Sequence, residues 1–428
     1  MYFGLMIAIF VIGYAMIALE HPLKINKSAT AVLLAAVIWA VFALFGPGIK
    51  DGALIHHLGE TAEILFFLLG AMTIVEIVDK HDGFSIITDR ITTTSKRKLL
   101  WIISILTFFM SAVLDNLTTS IVMCALLRKL VGDKNTRWFF AGMVILAANA
   151  GGAWSPIGDV TTIMLWIKGN ITAGNIILET IIPSLVSLLV PVAIIGTTMK
   201  GKLERPEKVE SEDTSSVTRK QSLIILIMGV GLLLFVPFFK TITHLPPYLG
   251  ILFGLGILWI TTEIMHKNNP TNYSRLNVTA IIQKVDVPSV LFFLGILMAV
   301  SCLNEAGHLG QLAGALNELG NVYVINIVIG VLSSIIDNVP LVAAAMGMYP
   351  IEAIGNFAVD GAFWEGLAYC AGTGGSLLII GSAAGVAVMG MEKIDFIWYL
   401  KKISLWALIG YLAGAGTFYL MSTLIFHA

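Results

Sequence analysis

Long apolar runs recur along the chain, separated by short polar stretches. A helix of about 20 residues crosses a hydrocarbon core about 30 Å thick. On that measure ten spans are predicted, near 2–19, 28–45, 61–78, 137–167, 176–199, 221–238, 247–265, 288–303, 361–391 and 403–426. Two further apolar segments do not fit the series. Residues 99–130 hold Asp115-Asn116 at their centre, and residues 322–349 hold Asp337-Asn338. Each is too long for one ordinary span and too short for two, and a polar pair at mid-segment is costly against lipid. Two half-length helices meeting at a polar tip satisfy both constraints, so each segment is expected to be a re-entrant hairpin.

The pattern repeats. Leu65-Phe-Phe-Leu-Leu-Gly70 matches Leu291-Phe-Phe-Leu-Gly295, Asp115-Asn116 matches Asp337-Asn338, and Gly151-Gly152 with Gly158 matches Gly374-Gly375 with Gly381, at offsets of 226, 222 and 223 residues. Five spans per half is an odd number, which sets the halves in opposite orientations, an inverted repeat. The expected organisation is all-α: a first repeat over 1–199 with its hairpin at 99–130, a polar linker at 200–220, and a second repeat over 221–428 with its hairpin at 322–349.

Composition agrees with lipid as the solvent: 57% of residues are hydrophobic and 12% charged, and mean hydropathy is +0.88. The net charge of −1 offers no global field for nucleic acid. The placement of the charge is more informative. With both hairpins re-entrant, Lys50, Lys168 and Lys240 fall on one side and the other 23 of the 26 Lys and Arg on the other, which marks the rich side as cytoplasmic. Both termini are then expected outside. The first hairpin enters from the cytoplasm, and the second, flanked by Glu318, Glu352 and Asp360, enters from outside. The run 2–19 has no basic flank or small-residue cleavage site and reads as a retained span. Cys124, Cys302 and Cys370 sit in apolar runs, at spacings that suit neither disulfides nor a metal site.

In each half the span after the hairpin is interrupted, by Asn149-Ala-Gly-Gly-Ala-Trp-Ser-Pro-Ile-Gly-Asp159 and by Gly372-Thr-Gly-Gly-Ser-Leu-Leu-Ile-Ile-Gly-Ser382. Unwound backbone in a membrane is tolerated where it lines a polar cavity, and its oxygens suit hard cations such as sodium. The candidate site draws on Asp115, Asn116, Thr118, Asn149, Ser155 and Asp159 from the first half and Asp337, Asn338, Thr373, Ser376 and Ser382 from the second. Sodium itself is expected at Asp115, Asn116, Asn149 and Asp159. Asp159 is matched by Ser382, so the first half should bind more strongly, with Asp115, Asn149, Ser155 and Asp159 as its cluster. The plainer reading of each aspartate is a helix N-cap. Glu63, Glu76, Glu179 and Glu365 are expected near span ends, within reach of the interface, and His56 and His57 in an outer loop.

The tips Asp115-Asn-Leu-Thr118 and Asp337-Asn-Val-Pro340, each followed by a Gly-Gly interruption, resemble the ion transporter superfamily and specifically its NhaD-type sodium/proton antiporters, along essentially the whole chain. The dicarboxylate carriers of that superfamily carry Ser-Asn-Thr at the equivalent tips, so Asp in place of Ser adds negative charge where those relatives receive an anion. The resemblance implies exchange of sodium or lithium for protons without a cofactor, a bacterial inner membrane, a homodimer, and an elevator-like motion. Desolvation disfavours an ionised carboxylate, so a proton and a sodium ion would compete at Asp115 or Asp159. A sodium-coupled anion symporter or an arsenite-type permease is the nearest alternative. It is disfavoured by the absence of any basic residue within the predicted tips. An intramembrane aspartyl protease is the rival from another class, and Pro156-Ile-Gly-Asp159 lacks the first glycine of its usual motif.

Overall fold

A computed structural model describes residues 2–49, 51–203, 217–267, 274 and 276–426. Apart from short connecting turns, the chain forms α1 (Tyr2–Ala18), α2 (Lys27–Phe45), α3 (Ala53–Lys80), α4 (Lys96–Leu114), α5 (Asn116–Leu130), α6 (Lys134–Gly152), α7 (Val160–Lys168), α8 (Ala173–Thr198), α9 (Arg219–Thr243), α10 (Pro247–His266), α11 (Val287–Glu305), α12 (His308–Asn317), α13 (Val322–Leu332), α14 (Asn338–Met348), α15 (Ala362–Gly374), α16 (Ala383–Glu392), α17 (Phe396–Lys402) and α18 (Ser404–Met421). Among the described residues there is no β-strand, only two isolated bridges. The linker expected at 200–220 lies largely outside the described residues. At its near end Lys96 N donates to Gly201 O and Leu203 N to Thr94 O, and at its far end Thr218 caps α9.

Among the described residues eight helices are long and apolar enough to cross a membrane. Seven coincide with expected spans, and the chain is an integral membrane protein. The eighth is α4, the first arm of segment 99–130. At 19 residues, about 28 Å of helix, it exceeds the half-length arm expected. Its C-terminal stop is the single residue Asp115, whose φ of +73° lies in the left-handed region and ends the helix without a loop. The second segment does give two 11-residue helices, α13 and α14. An unexpected helix, α12, precedes α13 at a bend of 120°. α1, at 17 residues, is shorter than the eight, and the spans expected at 137–167 and 361–391 are each split in two, as their glycine-rich interruptions require.

Two ends of the bundle are separated by charge. At one, Arg128 and Arg137 both hold the buried carboxylate of Glu392, at 2.6 and 2.8 Å, and Lys96 Nζ donates to Thr136 at 3.2 Å. At the other, Lys168 pairs with Glu60 and Lys240 donates to the carbonyl of Trp166 at 2.7 Å. The three cysteines are buried and free.

Packing around the interruptions recurs at the sequence offset. Ser111 Oγ donates to Ala148 O at 2.6 Å, and Ser333 Oγ to Ala371 O at 2.8 Å. Gly151 lies against the Phe108 carbonyl, and Gly374 against that of Gly330. A Cβ on Gly374 would stand 2.0 Å from Gly330 O, with backbone on both sides. Gly374→Ala therefore forces α13 and α15 apart and should lower stability by ~1–3 kcal/mol; thermal melting of the detergent-purified protein checks this, and an unchanged midpoint would contradict the close approach.

Candidate ion-binding site

The interruption after α6 is built from its sequence. α6 ends at Gly152, Pro156 lacks a backbone donor, and Ser155 Oγ ties the non-helical stretch to α4 by donating to Ala112 O at 2.5 Å. Asp159 then restarts the helix. Its Oδ1 accepts from Thr161 N at 3.1 Å, and its own N–H donates to Thr162 Oγ1 at 3.3 Å, completing a capping box. The second interruption ends in the same way, with Ser382 Oγ accepting from Gly385 N at the start of α16. The two caps share their backbone geometry: φ and ψ are −144° and 149° at Asp159, −145° and 156° at Ser382.

The two tips meet at Asp159. Asn116, the first residue of α5, donates its amide to Asp159 Oδ2 at 2.8 Å and to Asn149 Oδ1 at 3.1 Å. Asn338, the first residue of α14, donates to the same carboxylate at 3.2 and 3.4 Å. Asn149 Nδ2 donates to Ser376 Oγ and Ser382 Oγ, both at 2.9 Å. Six of the candidate residues thus form one buried network drawn from both halves. The expected cluster confined to the first half is replaced by a shared one.

The remaining candidates lie outside the network. The Asp115 carboxylate accepts from the backbone and hydroxyl of Thr118, both at 2.8 Å, and caps α5. Asp337 caps α14, its backbone N–H donates to Tyr14 Oη at 2.8 Å, and its carboxylate lies 3.6 Å from Lys27 Nζ. The basic residue beside this tip comes from α2, more than 300 residues earlier, and local sequence gave no signal of it. Ser155 is occupied by the Ala112 carbonyl, and Thr373 Oγ1 bonds back to Tyr369 O. Glu179 and Glu365, expected at the interface, are buried at 2% and 0% exposure, because helices α8 and α15 pack on one another there. Glu76 pairs with Lys80 at 3.2 Å as an interfacial residue would. His57 is only partly surface-exposed and lies between Glu60 and Glu305, while His56 is open to solvent.

Asp159 is 1% exposed, and its hydrogen-bond partners are amides and backbone. Its charge has no Lys or Arg partner in the network. The network touches the N-termini of four helices, α5, α7, α14 and α16, whose positive ends favour a carboxylate. One such end is worth at most ~2 kcal/mol, whereas burying an ion costs several kcal/mol. The four ends and the amide donors act together against that penalty.

Apolar spans arranged around interrupted helices and a shared polar centre are the architecture of a polytopic membrane transporter. The chain belongs to the citrate transporter (CitMHS) family, whose match covers residues 14–365, and within it to the NhaD-type sodium/proton antiporters. It is 48% identical to "Sodium/proton antiporter 1" of Arabidopsis thaliana over 99% of this chain and 73% of that protein. It is 45% identical to "Sodium/proton antiporter 2" of the same plant over 96% and 98%, and 32% identical to "Na(+)/H(+) antiporter NhaD" of Alkalimonas amylolytica over 98% and 91%.

Asn149 holds the network together, with one acceptor and two donor contacts. Asn149→Ala leaves the Asn116 amide and the Ser376 hydroxyl short of partners in a buried setting and should destabilise the fold by ~1–3 kcal/mol. Ser376→Ala, which removes a single contact, should cost less than half as much. Chemical denaturation of the two purified variants measures the difference; equal losses would mean that Asn149 is not the central tie.

Proposed function

We propose that the protein exchanges sodium for protons across the membrane, with Asp159 as the group that carries either ion. The observation that supports this most directly is a lone buried carboxylate without a basic partner, held by amides that can rotate. In the proton-loaded state Asn116 and Asn338 donate to Asp159. Turning either amide presents its Oδ1 in place of Nδ2, so Asp159, Asn116, Asn149 and Asn338 can surround sodium with oxygen, the ligand that hard cations prefer. Proton and sodium exclude one another at the same oxygens. Only the neutralised site crosses cheaply, which makes the two movements obligatorily opposed, and an inward proton gradient then expels sodium.

The same reading takes the chain as two inverted repeats with re-entrant hairpins, and the recurrence of contacts at a fixed offset supports it. The hairpins and interrupted helices would move as a body against α1–α3 and α9–α11. A cavity of about 280 Å³ between these parts, lined by Glu60, Thr61, Ile64, Met164, Ala343 and Met346 among others, is consistent with such a motion. Lithium as a second substrate, a homodimer, an inner bacterial membrane and outward termini belong to the proposal and rest on the resemblance and the loop charges. Asp115 enters as the cap that fixes the first tip.

Anion transport is the second reading, favoured by the family's description and by Lys27 beside the second tip. Lys27 is already engaged by the Asp337 carboxylate and lies over the Phe292 ring, 4.4 Å from its centroid, so it offers no free charge to citrate. The test is acridine-orange dequenching in respiring inverted vesicles, adding sodium, lithium, potassium and citrate in turn. Sodium and lithium should dequench, and Asp159→Asn should lose that response down to vesicles lacking the protein while still purifying as a folded species. A full sodium response in Asp159→Asn would remove Asp159 from the mechanism, and labelled citrate uptake without any cation response would move the anion reading to the front.

A further inference from the structure

A cavity of about 500 Å³ lies beside the second tip, and none of its lining residues belongs to the ion-binding network. It is walled by α1, α11, α12 and α14, together with Ile336 just before the tip. Of the fourteen described residues that line it, eleven are apolar and none is Lys, Arg, Asp or Glu; the polar three are Tyr14, His308 and Gln311. Sites for small molecules measure roughly 300–1,000 Å³ and combine an apolar wall with a few polar groups. This cavity fits both descriptions.

His308 makes it more than a packing gap. The side chain is 7% exposed, and neither ring nitrogen has a hydrogen-bond partner among the described residues. Phe3 packs on the imidazole with ring centroids 3.6 Å apart, a contact that satisfies neither nitrogen. A neutral imidazole carries one donor and one acceptor, and leaving them unmet in apolar surroundings is costly. Gln311, three residues along α12 and on the same side of it, adds an amide. With no charged side chain in the described wall, the cavity suits a neutral molecule, because an ionised head would be stranded there. The phase beside it is the bilayer: the lining residues Ile7 and Leu312 are 45% and 48% exposed, and Val11 and Ile12 of α1 are 58% and 61% exposed.

We propose that this cavity binds a neutral single-chain amphiphile from the membrane, of the class of long-chain alcohols, with its hydroxyl on His308 and its chain against Ile336, Pro340, Leu341 and Ala344. Tyr14, which also lines the cavity, accepts from Asp337 N at 2.8 Å, so the ligand packs on the side chain that holds the second tip. Occupancy then fixes that tip against α1 and slows exchange. The slowing rests on the antiport reading; the binding does not.

The test uses hexadecanol carrying a terminal diazirine, photolysed in phosphatidylcholine proteoliposomes, with labelled peptides read by mass spectrometry. Label within 7–14 and 336–344 that excess hexadecanol displaces is the expected result. Label spread evenly over the exposed helices, or not displaced, would overturn the site. Ala344→Trp fills the cavity and should remove this label, and Ala315→Trp fills it from α12 if the first variant does not fold; undiminished label in a folded filling variant would also overturn the site. His308→Phe should weaken displacement by hexadecanol about fivefold and leave displacement by hexadecane unchanged, whereas an equal change with both would remove His308 as the partner of the head. Labelled-sodium uptake in the same vesicles should slow with hexadecanol in the wild type and not in Ala344→Trp; equal slowing in both would trace the effect to the bilayer and remove the tip's part. Asp159→Asn should take the label as the wild type does, so that the binding site stands or falls apart from the antiport reading.

Discussion

The charge on Asp159 is the constraint around which the rest is organised. A carboxylate that is 1% exposed in a helical bundle surrounded by lipid needs hydrogen-bond donors and positive dipole ends close by. Continuous spanning helices would supply none of these, because their backbone donors are consumed internally. Breaking α6 from α7 and α15 from α16, and restarting the helix after Asp115 and after Asp337, frees four N-termini for one region. The glycine-rich interruptions are thus the local price of an interior ion site, and the close backbone packing of Gly151 and Gly374 keeps those breaks rigid.

The two halves contribute unequally to a site they share. The tips each send one asparagine to the same carboxylate. At the interruptions the equivalence fails in two places: Asp159 stands opposite Ser382, and Asn149 opposite Gly372. A second aspartate at 382 would set two carboxylates in one network and raise the cost of emptying it. A Cβ at 372 would press on Ala153 at 3.1 Å, in the stretch that leads to Asp159. The shared network therefore holds one carboxylate, supplied by the first half.

Much of this was legible in the sequence, and the limits have physical causes. Long apolar runs, polar pairs at mid-segment and Gly-Gly interruptions located the spans, tips and breaks, since each is dictated by the solvent. Asn116, Asn149, Asp159, Asn338, Ser376 and Ser382 stand out as polar residues at those breaks, and they do meet. The direction of a side chain at a break was not legible. Asp115 caps α5 through Thr118, the plainer of the two readings its sequence allows, and the residue pattern alone does not choose between them. Tyr14 and Lys27 reach Asp337 from the opposite end of the chain. Glu179 and Glu365 looked interfacial because hydropathy fixes span ends only to within a turn, and it is the packing of α8 on α15 that buries them.

Selectivity follows from the contrast between backbone and side chain. Four helix N-termini at one buried network favour an anion by default, since their unpaired N–H groups and dipoles attract negative charge. In this chain Asp115, Asp159 and Asp337 cap three of those termini with carboxylates of their own, and Ser382 caps the fourth. The negative charge that the backbone attracts is therefore built in. What the centre still lacks is positive charge, and Lys27, the basic residue at a tip, is spent on Asp337. Carboxylates at three of the four helix starts therefore set this region against an anion.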